Sequence, residues 1–322
     1  MALCIGIVGC GNVAQSSYLP FLSQQKDLKL LYLSRTPEKA AACVQRFGGR
    51  AVETPEALAA GSPDAVLVLT RETQRAQAIA ALLRTTGIPR LFFEKPLVAA
   101  RGQQDVTVED FTVARDLLRQ AAAQGIQTAM VFNYRFFERV QMARRIVAER
   151  EFGAVKQVVA LSHYDTWSHV IDLVLTFAGS PETITALSSA PDVAAALRFQ
   201  SGATGTILGT ASLVTRFPYF ELSIAFAGGR IHLRDLDGDL EVLDYRRTTH
   251  ERHAPWLHQS RWDYYGASFK ASLAAYLDSI RKGEPPPVPG RAGLEELQFE
   301  AALKRSIAEG RPVNVQSELA LD

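Results

Sequence analysis

Two short stretches gather the side chains best suited to chemistry. In Leu91-Phe-Phe-Glu94-Lys95-Pro96 an apolar run ends in a carboxylate, an ammonium group and a rigid proline. In Asp165-Thr-Trp-Ser-His169-Val-Ile-Asp172 an acid, an imidazole and a second acid stand four and three residues apart. Those are the spacings of one helix face, so the three groups are expected near the first turns of a helix. Each also has a plainer use: Asp165 as an N-cap, His169 as a hydrogen-bonded core residue, Asp172 as a structural group flanked by apolar neighbours. An acid–His–acid set can hold a metal, but no further ligand cluster accompanies it, and no metal is expected.

A third stretch reads as a nucleotide site. Ile5-Gly-Ile-Val-Gly9-Cys-Gly11-Asn12-Val13-Ala14 is a strand running into a GxGxxA turn that opens a helix. Gly9 permits the tight turn, Gly11 lets a pyrophosphate approach the backbone, and Ala14 allows close helix–strand packing. The helix N-terminus, with Asn12 and Val13 in its first turn, then offers N–H groups to the phosphates. At the end of the second strand, where an acidic residue would bind a ribose 2′-hydroxyl, the chain has Leu33-Ser34-Arg35-Thr36. Ser34 and Arg35 suit a 2′-phosphate, which favours NADP(H) and leaves NAD(H) as the alternative. Arg35 as a solvated surface cation is the competing reading.

The elements that must position these residues follow from the hydrophobic pattern. Up to about residue 130, apolar runs at Leu3–Val8, Leu28–Leu33, Ala65–Leu69, Arg90–Phe93 and Thr128–Phe132 alternate with helical stretches at Pro37–Phe47, Pro55–Ala60, Thr73–Thr85 and Val108–Gln124. Strands alternating with helices predict a parallel sheet covered on both faces, and its ligand site at the carboxyl ends of the strands puts Lys95 in the cofactor crevice. Beyond residue 135 come a helix (Glu138–Glu149), a strand (Val155–Leu161) and a second helix (Trp167–Ala178). Strands then follow at Ala194–Phe199, Gly205–Leu213, Phe220–Ala227, Arg230–Asp235 and Leu240–Tyr245. Ser201-Gly202, Gly228-Gly229 and Asp237-Gly238 suit the hairpin turns between them. Two helices, Tyr265–Lys282 and Ala292–Glu309, close the chain. The fold class is therefore α/β: a Rossmann domain over residues 1–128, then an α+β domain over 129–322 with an open, mainly antiparallel sheet. The last helix, about 292–309, is expected to pack back toward the first domain.

Composition narrows the classes. The 322 residues carry 35 Lys+Arg against 34 Asp+Glu, 47% are hydrophobic and 21% charged. Neither disorder nor a nucleic-acid-coating surface fits that balance, and no apolar run approaches the ~18 residues of a membrane span. The apolar N-terminus lacks a basic leading segment, and Cys4, Cys10 and Cys43 form neither a disulfide framework nor a metal spacing. A reduced, cytoplasmic protein acting on a small molecule is expected, with no nucleic-acid or membrane partner.

In these motifs and their order the chain resembles the Gfo/Idh/MocA family of NAD(P)-dependent oxidoreductases. The resemblance rests on Gly9, Gly11 and Ala14, on Glu94-Lys95-Pro96, on Asn133-Tyr134-Arg135-Phe136, on Asp165, His169 and Asp172, and on Ala301, Ser306 and Glu309-Gly310-Arg311. It implies hydride transfer between nicotinamide and a hydroxyl or carbonyl carbon of a sugar, cyclitol or related metabolite. Lys95 would hydrogen-bond the substrate oxygen, His169 would carry the proton and Asp165 would orient it. Thr70, Glu94 and Lys95, the last near the nicotinamide ribose, would join the cofactor contacts, Tyr134, Arg135 and Trp167 the substrate contacts, and the open sheet would support a homodimer or homotetramer.

The sequence departs from the family in places. Thr70 is followed by Arg71 instead of proline, and Arg75 takes the place of a histidine. With Arg135 they form a positive cluster suited to an anionic substrate or to plain surface charge, and Arg71 and Arg75 are read as surface charges. The segment from Lys156 to Asp165 is short for a sugar-contacting loop, which keeps a reductase of planar or imine substrates as an alternative. Leu97–Glu109 is long, either a flap over the cofactor or a surface loop. His253, Trp256, His258, Trp262, Tyr264 and Tyr265 fall in a stretch read as irregular, suited to stacking on a ring or to plugging the sheet. A non-catalytic nucleotide-binding relative would be expected to have lost Lys95 or His169, and a glycosidase with transient oxidation is the least favoured reading.

Overall fold

The computed structural model describes residues 2–211, 218–255 and 258–322. They fall into two units, one of Met1–Val131 with Phe269–Leu297, the other of Phe132–Ser268 with Gln298–Asp322.

The first unit is built on a six-stranded parallel sheet ordered β3-β2-β1-β4-β5-β6. Its strands are β1 (Leu3–Val8), β2 (Leu28–Leu33), β3 (Arg50–Val52), β4 (Ala65–Val68), β5 (Arg90–Phe93) and β6 (Gln127–Met130). The connecting helices are α1 (Leu19–Leu22), α2 (Pro37–Phe47), α3 (Pro55–Ala60), α4 (Glu72–Leu83) and α5 (Val108–Ala123). Ile5, Ile7, Val66, Leu67, Val68, Leu91, Phe92 and Phe93 are all buried, as strands covered on both faces require. The order reverses between β1 and β4, which opens the crevice where such sheets bind ligands. Only the three-residue β3, with no apolar run of its own, had no counterpart in the pattern.

The second unit carries a nine-stranded sheet ordered β14-β13-β12-β11-β7-β10-β9-β8-β15. In chain order these are α6 (Glu138–Glu149), β7 (Val155–His163), α7 (Trp167–Ala178), β8 (Pro181–Ser189), β9 (Asp192–Phe199), β10 (Thr204–Thr210), β11 (Phe220–Phe226), β12 (Gly229–Arg234), β13 (Leu240–Asp244) and β14 (Thr249–His253). Next come α8 (Arg261–Lys282), α9 (Arg291–Glu309), β15 (Val313–Asn314) and α10 (Val315–Glu318). All pairings are antiparallel except β7 with β10. Alternate residues such as Val158, Ala160, Leu222 and Ile224 are buried, while Val159, Leu187 and Leu208 stand exposed. This is the mixed α/β architecture that the pattern predicted.

Three strands (β8, β14 and the two-residue β15), the four-residue α10 and one helix start escaped that pattern. β8 hides its alternation among threonines and serines, and β14 (Thr-His-Glu-Arg-His) has no apolar face. His253 therefore lies in a strand. Trp262, Tyr264 and Tyr265 belong to α8, which begins four residues before Tyr265. Its start carries a capping signal, Ser260-x-x-Asp263: the Ser260 N–H and hydroxyl both donate to Asp263 Oδ2 at 2.8 Å. Trp256 and Leu213 lie outside the described residues.

Candidate nucleotide site and candidate catalytic side chains

At the end of β1 the backbone turns at Gly9 with φ +99°, and a Cβ there would lie 2.7 Å from the Thr70 nitrogen. Only glycine fits. Gly11 differs: a Cβ there would meet no atom within 4 Å. Its missing side chain serves nothing in the chain's own packing and leaves open space over the turn, the cradle that a pyrophosphate needs. Asn12 and Val13 are exposed beside that space, while Ala14 is fully buried against the sheet. Residues Ala14–Tyr18 are wound as a π-helix. Pro20 is the physical reason: it cannot donate to the carbonyl four residues back, and its ring crowds that carbonyl, so the preceding turn widens. Ser34, beyond β2, accepts the Thr36 N–H at 3.2 Å, and Arg35 next to it is exposed.

These two glycines give opposite expectations for stability. Gly9→Ala should cost about 1–3 kcal/mol or more, from the positive φ and the backbone collision. Gly11→Ala should stay within about 1 kcal/mol of the parent, since nothing stands in its way. Urea unfolding of the two variants checks this, and equal losses would contradict it.

The widened turn sends Tyr18 to the carboxyl end of β5. Its buried hydroxyl donates to Glu94 Oε1 at 2.7 Å, and the Lys95 N–H donates to Glu94 Oε2 at 2.8 Å. Glu94 is 7% exposed and so acts on the loop itself. Lys95, followed by a cis peptide to Pro96, is half-exposed, and its Nζ donates to Gln103 Oε1 at 3.2 Å. Gln103 comes from the long 97–107 connection. Thr70 Oγ1 is buried at the end of β4 without a hydrogen-bond partner among the described residues.

Arg75 corrects a sequence expectation. Read as a surface charge, it is instead 2% exposed. Its guanidinium donates to the carbonyls of Thr70 (2.7 Å), Glu94 (2.6 Å) and Pro96. Past the last rung of a parallel sheet these carbonyls have no ladder partner, and a buried carbonyl must find a donor. A cation recruited for main-chain oxygens leaves no mark in the sequence. Arg71, at the N-terminus of α4, is exposed as expected.

In the second unit β7 runs directly into a 3₁₀ turn, Tyr164–Thr166, and then into α7. Thr166 pins that turn, its hydroxyl donating to the carbonyls of His163 and Tyr219 at 3.0 Å each. Asp165 sits in the turn, and the N-cap position belongs to Thr166. The Asp165 N–H donates to His163 Nδ1 at 3.2 Å, and its exposed carboxylate lies 3.5 Å from the same nitrogen. His163 is thus a neighbour that the motif did not suggest.

His169 is 2% exposed and stacked on Tyr134, with ring centroids 4.1 Å apart and planes 2° apart; the Phe132 ring meets it edge-on at 6.0 Å. Burial, followed by the nearby Tyr265, Asp235, Tyr219 and Asp165, pushes the Tyr134 phenol well above its usual range, so it stays protonated. Asp172 is fully buried and accepts two bonds from Arg135, at 2.8 and 2.5 Å. Asp172 is thus held in a buried ion pair with Arg135, which joins the turn at Asn133–Phe136 to α7. Trp167 is likewise buried, its ring so close to Gly209 that a Cβ at 209 would lie 2.8 Å from it. Trp262, in contrast, is 60% exposed, edge-on to Tyr219 and Tyr265.

Residues 3–130 match the GFO_IDH_MocA sequence family, described as an oxidoreductase family with an NAD-binding Rossmann fold. No curated protein matches the sequence. Among solved structures, an oxidoreductase from Agrobacterium radiobacter in complex with NAD+, L-tartaric acid and magnesium superposes with a TM-score of 0.82 at 19% identity, over 99% of this chain and 100% of that one. Levoglucosan dehydrogenase in complex with NADH and levoglucosan gives 0.80 at 18%, over 97% and 99%. The WlbA dehydrogenase from Bordetella pertussis, in complex with NADH and UDP-GlcNAcA, gives 0.77 at 18%, over 97% of each chain. No helix among the described residues is long and apolar enough to cross a membrane.

Proposed function

We propose, for a chain whose residues 3–130 belong to the Gfo/Idh/MocA oxidoreductase family, that it is an NADP(H)-preferring dehydrogenase or reductase. Its substrate would be a sugar, a cyclitol or a related hydroxy or keto metabolite. The observation that carries this reading is the turn at Gly9 and Gly11, open over Gly11, at the point where the strand order reverses. The L-tartaric acid, UDP-GlcNAcA and levoglucosan bound in the similar structures support the substrate class.

The pyrophosphate would lie on the N–H groups following Gly11, and the 2′-phosphate against Ser34 and Arg35. When bound, the dinucleotide supplies the hydride acceptor or donor. The chain's own groups do the rest. Lys95 donates a hydrogen bond to the reacting oxygen and stabilises the negative charge that develops on it. His169, its ring stacked on Tyr134, would move the proton, and Asp165 would favour the charged imidazolium as the family resemblance implies. Glu94, fixed by Tyr18, holds the turn from which Lys95 projects.

Titration with NADPH and NADH tests the reading. NADPH should bind more tightly, and binding of neither would overturn the proposal. Arg35→Ala should weaken NADPH by about tenfold, the loss of one exposed phosphate contact, with NADH little changed. Equal losses would make Arg35 a packing residue. A second reading, a planar or imine substrate, is favoured by one feature: β7 passes into the Tyr164–Thr166 turn with no intervening loop to wall a sugar.

A further inference from the structure

The structure ties Lys95 down at more than one point, with groups that neither the motif nor the family match assigns. Arg75 straddles it: one terminal nitrogen, Nη1, donates to the carbonyls of Glu94 and Pro96, the residues on either side of Lys95. Its other nitrogen, Nη2, reaches the Thr70 carbonyl at 2.7 Å and so joins the end of β4 to the end of β5. Burying a guanidinium is costly unless its donors are used, and an apolar side chain would fill the same space without that cost. The charge is spent on main-chain oxygens that flank one lysine.

The far end of the lysine meets Gln103. Its arch is itself anchored. Asp110, 2% exposed, accepts the Ala100 N–H at 2.8 Å on Oδ1 and the Thr107 N–H at 2.9 Å on Oδ2, closing the arch at both feet. At its crown Gly102 adopts φ +101°, and the next residue presents its amide oxygen to Lys95 Nζ at 3.2 Å. A free lysine side chain samples many rotamers, and fixing it costs about 1.5–2 kcal/mol that a pre-ordered site has already met.

We propose that Arg75 and Gln103 are positioning residues for Lys95: Arg75 fixes the main chain that presents it, and Gln103 fixes the direction of its ammonium group. The long 97–107 connection is then a bracket for the lysine. The proposal rests on Lys95 being the group that engages substrate, but it can be tested without substrate or cofactor.

The lysines would be reductively methylated with ¹³C-formaldehyde, and the dimethylammonium signal of Lys95 assigned by its loss in Lys95→Arg. In the parent protein it should be resolved from the exposed lysines. In Gln103→Ala it should move into their envelope, with the melting temperature unchanged. Arg75→Met should speed amide exchange across residues 94–105 about tenfold or more while β7 keeps its protection, and Arg75→Lys should recover part of it. If Arg75→Met does not fold, the Gln103→Ala and Arg75→Lys arms decide. An unmoved Lys95 signal in Gln103→Ala, or faster exchange in Arg75→Lys spread evenly through the protein, would overturn the proposal. Failure to bind NADPH, by contrast, would strike at the enzymatic reading and leave these results standing.

Discussion

Lys95→Ala should lower kcat by about 10²-fold or more, with NADPH affinity nearly unchanged. The reason is where the side chain acts. In the reading proposed above, the pyrophosphate would rest on the turn at Gly11 and the 2′-phosphate on Ser34 and Arg35, so the lysine would take no part in phosphate binding. Lys95 is assigned to the oxygen on which charge develops, an interaction that strengthens on the way to the transition state. Loss of such a group falls on kcat. Lys95→Arg keeps the charge but replaces a compact donor with a planar fork, so it should recover only part of the rate. Steady-state kinetics beside a binding titration separate these outcomes. Near-parental turnover in Lys95→Ala would remove the lysine from the mechanism.

The second large effect is on stability. Asp172→Ala should cost about 3–5 kcal/mol, because it leaves the Arg135 guanidinium, with only 18% of its side chain exposed, without the carboxylate that receives two of its N–H groups. Arg135 belongs to the 3₁₀ turn Asn133–Phe136 and Asp172 to α7, so the pair joins two elements distant in the chain. Asp172→Asn, which keeps the shape and an acceptor, should lose less. Removing both charges in an Arg135→Met, Asp172→Leu variant should recover part of the loss, since no unpaired charge then remains buried. Urea unfolding of the single and double variants measures the coupling; a cost under 1 kcal/mol in Asp172→Ala would mean that water replaces the partner.

How much was legible in the sequence depended on whether a residue's role is local. The strands of the first sheet announce themselves because each is apolar on both faces, and the glycine turn because its φ and clearance forbid anything else. β8 and β14 do not: threonine and serine blur the period of two in β8, and β14 buries no residue and so has no apolar face to show. The α8 start was legible in Ser260-x-x-Asp263 and passed unread among the aromatics around it. Arg75, the Tyr134–His169 stack and the Arg135–Asp172 pair had no such signal. Each joins positions that only the folded chain brings together, and a buried arginine looks in sequence like an exposed one.

Tyr18 and the π-wound turn carry a consequence for how this site can change over time. One hydrogen bond runs from Tyr18, at the end of the π-wound turn, to Glu94, and Arg75 reaches from α4 to both neighbours of Lys95. Tyr18, Arg75, Glu94 and Lys95 are therefore wired together, so a change at one is expected to disturb the others. Ser34 and Arg35, just past β2, stand outside this wiring: among the described residues the side-chain tie there is the local bond that Ser34 accepts from the Thr36 N–H. If the proposed reading holds, preference between the two dinucleotides is expected to change by single substitutions at little cost to the fold, while the Lys95 end of the site stays as it was built.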